Sequence, residues 1–138
     1  MQQIAFNEIS AAEVSAIPAM KQLKLFFAFK VDEDCLNGNP TDPRFGVVER
    51  AGRRIFRFRS DDDDYRIYFT VEKNADGDDV VVVQRVLHAD SLKDFLFRSG
   101  MGADAEDSKL SNSRSFWKLI EDGEKAANVL AIWDADTE

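Results

Sequence analysis

Apolar and charged side chains alternate most regularly between Arg53 and Arg59, where Phe56 and Phe58 fall on one side of an extended chain and Arg53, Arg57 and Arg59 on the other. The same period of two returns from Tyr65 to Lys73, with Tyr65, Ile67, Phe69 and Val71 directed inward and Arg66, Tyr68 and Thr70 outward. A third run, Val80 to Val83 continued by Gln84 to Leu87, is apolar on both sides and predicts a central strand covered on both faces. Asp61–Asp64 and the glycine-containing stretch Asn74–Asp79 are the polar connections. The pattern therefore predicts three consecutive antiparallel strands with arginines on a concave face, preceded by a short strand Val47–Arg50 and a turn at Ala51-Gly52.

Upstream, Ile4 and Phe6 share one face of a first strand. Ser10 and Glu13 have capping-box spacing, which predicts a helix from Ser10. Pro18 suits the first turn of a second helix, in which Met20, Leu23, Phe27 and Val31 recur at spacings of three and four as a core-facing stripe, widened by Leu25, Phe26 and Phe29. Cys35–Phe45 is rich in turn residues and reads as a loop. Downstream, Ser91 caps a short amphipathic helix carrying Leu92, Phe95 and Leu96, and Gly100–Asp107 is a polar loop. Phe116, Leu119, Ile120 and Ala127 then predict a last helix, with Ser113 as its cap and Gly123 as a weak point, before an acidic tail.

A chain of 138 residues fits one domain. The net charge of −8 argues against generic nucleic-acid binding, because long-range steering toward a polyanion is repulsive. The charge is unevenly distributed, however. Arg44 to Arg59 holds six arginines and one acid, whereas Gly100 to Glu138 holds nine acids and four bases. The single Cys35 forms no internal disulfide and has no metal-ligand spacing around it, which fits a reducing cytoplasm. The longest apolar stretch, Leu25 to Val31, is far short of the roughly 20 residues that span a bilayer, and the N-terminus does not read as a secretory leader, so a soluble protein is expected. The four acids Asp61–Asp64 lack the alternating ligand spacing of a calcium loop and read as a solvated turn; no metal or cofactor is expected.

The order strand, helix, helix, loop and antiparallel meander closed by a short helix resembles the RelE/ParE toxin superfamily over roughly residues 1–99. The matching features are Asn39-Pro40 after the second helix, the strand RIFRFRS, the strand DYRIYFTVE, and VVVVQRVLHADSLKDFLFR, similar to the family's last strand and closing helix. The resemblance implies an α+β fold: two N-terminal helices on a twisted antiparallel sheet of three to five strands. Residues 100–138 are an added acidic loop, helix and tail on the same domain.

The resemblance also implies a toxin with a cognate antitoxin. RelE-like members enter the ribosome and cut mRNA, which needs positive charge beside the scissile phosphate and groups that exchange protons. Arg57 falls where the family carries a catalytic lysine or arginine, and Arg66 on its phosphate-stabilising arginine; Arg53 and Arg59 extend the surface as RNA-binding residues. Three positions depart from the pattern: Ile55 replaces a basic residue, Ala89 an arginine and Phe95 a tyrosine. His88 is the only imidazole and a candidate acid or base, or else a hydrogen-bonding group at the end of the last strand. Arg85, placed with Val81, Val83 and Leu87, reads as a carboxylate partner. ParE-like members bind DNA gyrase without nuclease residues, and a RelE-fold binding module without activity is a third reading. Ser113–Glu138 is expected to fold back through Trp117 and Ile120, either bringing Asp134, Asp136 and Glu138 near enough to screen the cationic sheet or merely completing the core.

Overall fold

In the computed structural model, which describes residues 3–97 and 106–134, the chain forms one mixed sheet with helices on both faces. In chain order the elements are β1 (Gln3–Asn7), α1 (Glu8–Ser15), α2 (Ala19–Ala28), α3 (Glu33–Leu36), β2 (Phe45–Arg50), β3 (Arg53–Arg59), β4 (Tyr65–Lys73), β5 (Asp79–His88), α4 (Ala89–Phe97), α5 (Glu106–Ser111), α6 (Arg114–Lys125) and β6 (Asn128–Asp134). The six strands lie in the order β2-β3-β4-β5-β1-β6. β2 to β5 form the expected antiparallel meander. The broad class is α+β, but the sheet is larger than expected and is mixed: β1 runs parallel to β5, and β6 adds antiparallel to β1.

The first core lies beneath α1 and α2. Phe29 is fully buried at its centre, with ring centroids 5.1 Å from both Phe58 and Phe69, 6.2 Å from Phe26 and 6.3 Å from Phe45. The alternation of β3 and β4 supplies Phe58, Ile67 and Phe69 to this core. The stripe expected on α2 is only partly used, since Met20, Leu23 and Phe27 are 69%, 55% and 76% exposed while Leu25 and Phe26 are buried. The helix is apolar on two sides, and the sheet selects the side continued by Phe29. Phe29 leaves helical geometry (φ −79°, ψ 87°), so Val31 enters the core from beyond the helix rather than extending its stripe.

A second core closes the opposite face. Val48, Ile55, Tyr68 and Leu87 project from the sheet against Leu92 of α4, Leu110 of α5 and Phe116, Trp117 and Ile120 of α6. Arg66 and Tyr68, expected to point outward, are therefore buried. Gly123 allows this closure. A Cβ built on it would lie 2.4 Å from the Gln84 carbonyl oxygen, so α6 approaches the β5 backbone more closely than any side chain permits. Asn7 fastens the contact, its amide donating to the carbonyls of Gln84 (3.0 Å) and Gly123 (2.9 Å).

Local differences follow from identifiable interactions. α1 starts at Glu8, not Ser10: Asn7 is the cap, and its side chain accepts from the Ser10 N–H while Ser10 returns a bond to the Asn7 backbone. A bulge at Gln84 shifts the β4–β5 register, so Arg85 faces with Leu87 rather than with Val81 and Val83. α3 interrupts the first predicted loop, and α5 begins inside the second. The last helix ends at Lys125 and the expected tail contains β6. No helix among the described residues is long and apolar enough to cross a membrane.

Candidate functional site

Strand geometry assembles the arginine face. Arg53, Ile55, Arg57 and Arg59 share one side of β3, and Arg66 and Tyr68 share the same side of β4. The register places Arg57 opposite Tyr68 and Arg59 opposite Arg66. Like charges directly opposite each other on adjacent strands repel, so this face requires an anion.

Asp63 of the β3–β4 turn supplies part of it at the rim, 3.1 Å from Arg66 Nη2 and 3.5 Å from Arg59 Nε, and the buried part comes from α5. The Glu106 carboxylate is held by Arg66 in a two-pronged contact, Nε to Oε2 at 3.0 Å and Nη2 to Oε1 at 3.3 Å, and Arg59 approaches the same Oε2 at 3.5 Å. Asp107 grips Arg57 in the same manner, with Nε to Oδ1 at 3.2 Å and Nη2 to Oδ2 at 2.9 Å. Arg57 also donates to the Arg44 carbonyl at 2.6 Å. Gly46, its cross-strand neighbour, leaves the necessary space, since a Cβ there would lie 2.2 Å from the guanidinium. Arg57 and Arg66 are only 6% and 4% exposed. Burial opposes the Arg66 charge, but Glu106 and Asp63 outweigh it and raise the pKa of this guanidinium further above its ordinary value.

Arg53 lies at the rim, bonded to Glu121 (2.9 Å) and Glu124 (2.5 Å) of α6 and placed 4.9 Å over the Trp117 ring. The C-terminal part of the chain thus does reach the cationic sheet, but through Glu106, Asp107, Glu121 and Glu124. Asp134 belongs to β6, on the far edge of the sheet, four strand spacings or about 19 Å from β3 and beyond a Debye length of about 8 Å. Asp136, Glu138 and the side chains of Phe95 and Leu96 lie outside the described residues.

Two polar atoms under α5 are left over. The Tyr68 hydroxyl and Arg59 Nε are buried and make no hydrogen bond among the described residues, although Arg59 Nε lies 3.5 Å from the Asp63 carboxylate. Burial raises the Tyr68 pKa well above its ordinary value, and the charges of Glu106 and Asp107 add to the shift while Arg66 and Arg57 oppose it. The phenol therefore lies within the field of the arginine site. Strand alternation alone makes Tyr68 an outward position, and nothing local in the sequence singles out Glu106, Asp107 or Gly46. The excess of acids after Gly100 was the available signal, although it did not specify which acids would pair.

His88 does not join this site. It stands on the opposite face, its ring edge-on to Tyr65 at 5.0 Å, and Nδ1 accepts the Asp90 backbone N–H at 3.0 Å near the start of α4. Arg85 has the carboxylate partner expected of it: its Nη2 lies 2.8 Å from Glu13, whose other oxygen accepts the Val86 N–H where β5 runs past β1. The acids of the Asp61–Asp64 turn are individually engaged. Asp61 meets Arg44, Asp62 accepts from Ser60 and the Asp64 N–H, Asp63 meets Arg66, and Asp64 meets Lys21. No cluster of metal-binding side chains occurs among the described residues. Comparisons with protein-family models, with curated proteins and with solved structures return no match.

Proposed function

We propose that this protein acts on RNA through the Arg57, Arg59 and Arg66 face of its sheet, as a RelE-like translational repressor in a closed form. The observation that carries the reading is the convergence of three guanidinium groups on one pair of carboxylates, two of them, Arg57 and Arg66, at strand positions where the family resemblance implies catalytic and phosphate-stabilising residues. Planar forks that grip carboxylates in two-pronged contacts match phosphate oxygens equally well. Partners on this reading are the ribosome with its mRNA and a cognate antitoxin, in the cytoplasm.

A second reading, a RelE-fold binding module without nuclease activity, is favoured by the position of His88. An imidazole across the sheet from the arginines does not exchange protons at a phosphate held by them. Induced expression with mapping of message ends separates the readings. Growth arrest with codon-registered cuts supports the nuclease, and cuts that persist undiminished in His88→Gln agree with the position of His88. Arrest with DNA damage and intact messages indicates a ParE-like action on gyrase. Absence of arrest, with folded protein accumulating, leaves the binding module.

A further inference from the structure

We infer that α5 is a lid seated on a phosphodiester-binding site, with Glu106 and Asp107 occupying the places of phosphate groups. The inference rests on the RNA reading above and adds both the ligand site and its regulation. Opposed Arg59 and Arg66, with Arg57 beside them, form a cluster that requires an anion, and the chain itself delivers one from α5.

The fit of that internal anion is incomplete. Two carboxylates satisfy the forks of Arg57 and Arg66 but leave the buried Tyr68 hydroxyl without a hydrogen bond among the described residues and Arg59 Nε with only a 3.5 Å contact to the exposed Asp63 carboxylate. Leaving a buried donor unsatisfied costs roughly 1–3 kcal/mol, so the site has donor capacity that the lid does not use. A phosphodiester has tetrahedral oxygens to offer these donors where a planar carboxylate presents its acceptors in one plane. Gly46 adds to the arrangement: with no side chain there, the Arg57 guanidinium lies against the β2 backbone beside the Asp107 carboxylate, which fixes the fork where the anion sits.

The lid is also lightly held compared with the strands beneath it. α5 has six residues, fewer than the roughly 12–15 at which an isolated helix becomes marginally stable, so tertiary contacts hold it in place. These include the arginine forks, Leu110 in the second core, the buried Lys109 and the hydrogen bond from Trp117 Nε1 to the Ser111 carbonyl at 2.8 Å. A closed lid reconciles a net charge of −8 with an arginine site, because the site's charge is neutralised internally until α5 departs.

The test measures fluorescence anisotropy of a labelled ten-nucleotide single-stranded RNA with the full chain at 50 to 200 mM salt. Asp107→Asn is the primary variant, because its carboxylate is partly exposed and the substitution leaves the buried Glu106–Arg66 pair intact. Glu106→Gln with Asp107→Asn is the stronger one. Folded variants should bind at least about tenfold more tightly than the original chain, with a steeper salt dependence, and pyrophosphate should compete. Adding Arg59→Gln should remove the gain. Equal, weak binding by the original chain and both folded variants overturns the site, and binding of pyrophosphate without RNA overturns the assignment to a nucleic-acid strand. Hydrogen exchange on the unsubstituted chain tests the lid independently of whether the variants fold: α5 amides should exchange through an opening of lower free energy than β4 amides, and exchange only on global unfolding overturns the lid. RNA binding without cleavage would sustain the lid and reject the nuclease, whereas codon-registered cuts at a rate indifferent to Asp107→Asn would do the reverse.

Discussion

On the face covered by α2, Phe29 lies against Phe26, Phe45, Phe58 and Phe69; on the face covered by α5 and α6, four arginines meet four carboxylates beside a smaller apolar core. The first face is held by area and shape, and loses stability in proportion to what is removed. The second depends on pairing. Each buried charge is tolerable only while its partner is present, because desolvation offsets much of the attraction between them. One face is thus a permanent core, while the other is stable only with an anion in place.

The sharpest way to break the comparison is to remove the centre of the first face. Phe29→Ala should cost the most of any change considered, about 5 kcal/mol, since neighbouring rings from α2, β2, β3 and β4 cannot all collapse into the space. Urea unfolding would read this as a lower midpoint at unchanged slope.

On the second face, Glu106→Gln should cost about 3 kcal/mol by leaving Arg66 buried without its counter-charge, whereas Arg66→Met together with Glu106→Leu should return close to the original stability. A double variant as unstable as the single one would contradict the pairing argument. Gly123→Ala tests how tightly this face closes. The new methyl meets backbone rather than a flexible side chain, so a loss of about 2 kcal/mol and a shift of α6 amide resonances are expected.

A pH titration examines the first face from another side. Cys35 is fully buried, and burial, followed by the charge of Asp32, raises its pKa from 9.0 to about 11. A folded pKa above the unfolded one means that the stability contribution is fully present below pH 9.0 and is lost as pH rises toward 11. The loss should be on the order of 2 kcal/mol across that window relative to Cys35→Ala, which lacks the titration. Equal slopes for the two proteins would remove the thiol from the account. The smallest effect is expected on the solvent side of α2, where Phe27→Ser should change stability by less than about 0.5 kcal/mol because the ring is mostly exposed.

The meander was legible in the sequence because strand alternation is a local property. Arg57 opposite to Phe56 and Phe58, the central strand buried from Val81 to Gln84 though not at Val80, and the turn at Asp61–Asp64 all follow from spacing and turn chemistry. The candidate site was legible only in part. Arg57, Arg59 and Arg66 were visible as one charged face, but the acids of α5 that pair with it are about 40 to 50 residues distant in the chain.

Three features were decided by the tertiary structure alone. The side of α2 that faces the core depended on how Phe26 and Phe29 meet the rings of β2 to β4, since both sides of the helix are apolar. The position of His88 across the sheet from the arginines follows from the Gln84 bulge, which reverses the alternation of β5 midway. The parallel pairing of β1 with β5, and the addition of β6 at the edge, depended on contacts between segments roughly 75 and 130 residues apart, as in Ile4 with Val81 and with Trp133. Local sequence set which way each strand's side chains alternate, but only the assembled sheet could determine what would cover each face, because burial and charge pairing are properties of neighbours that the chain brings together from a distance.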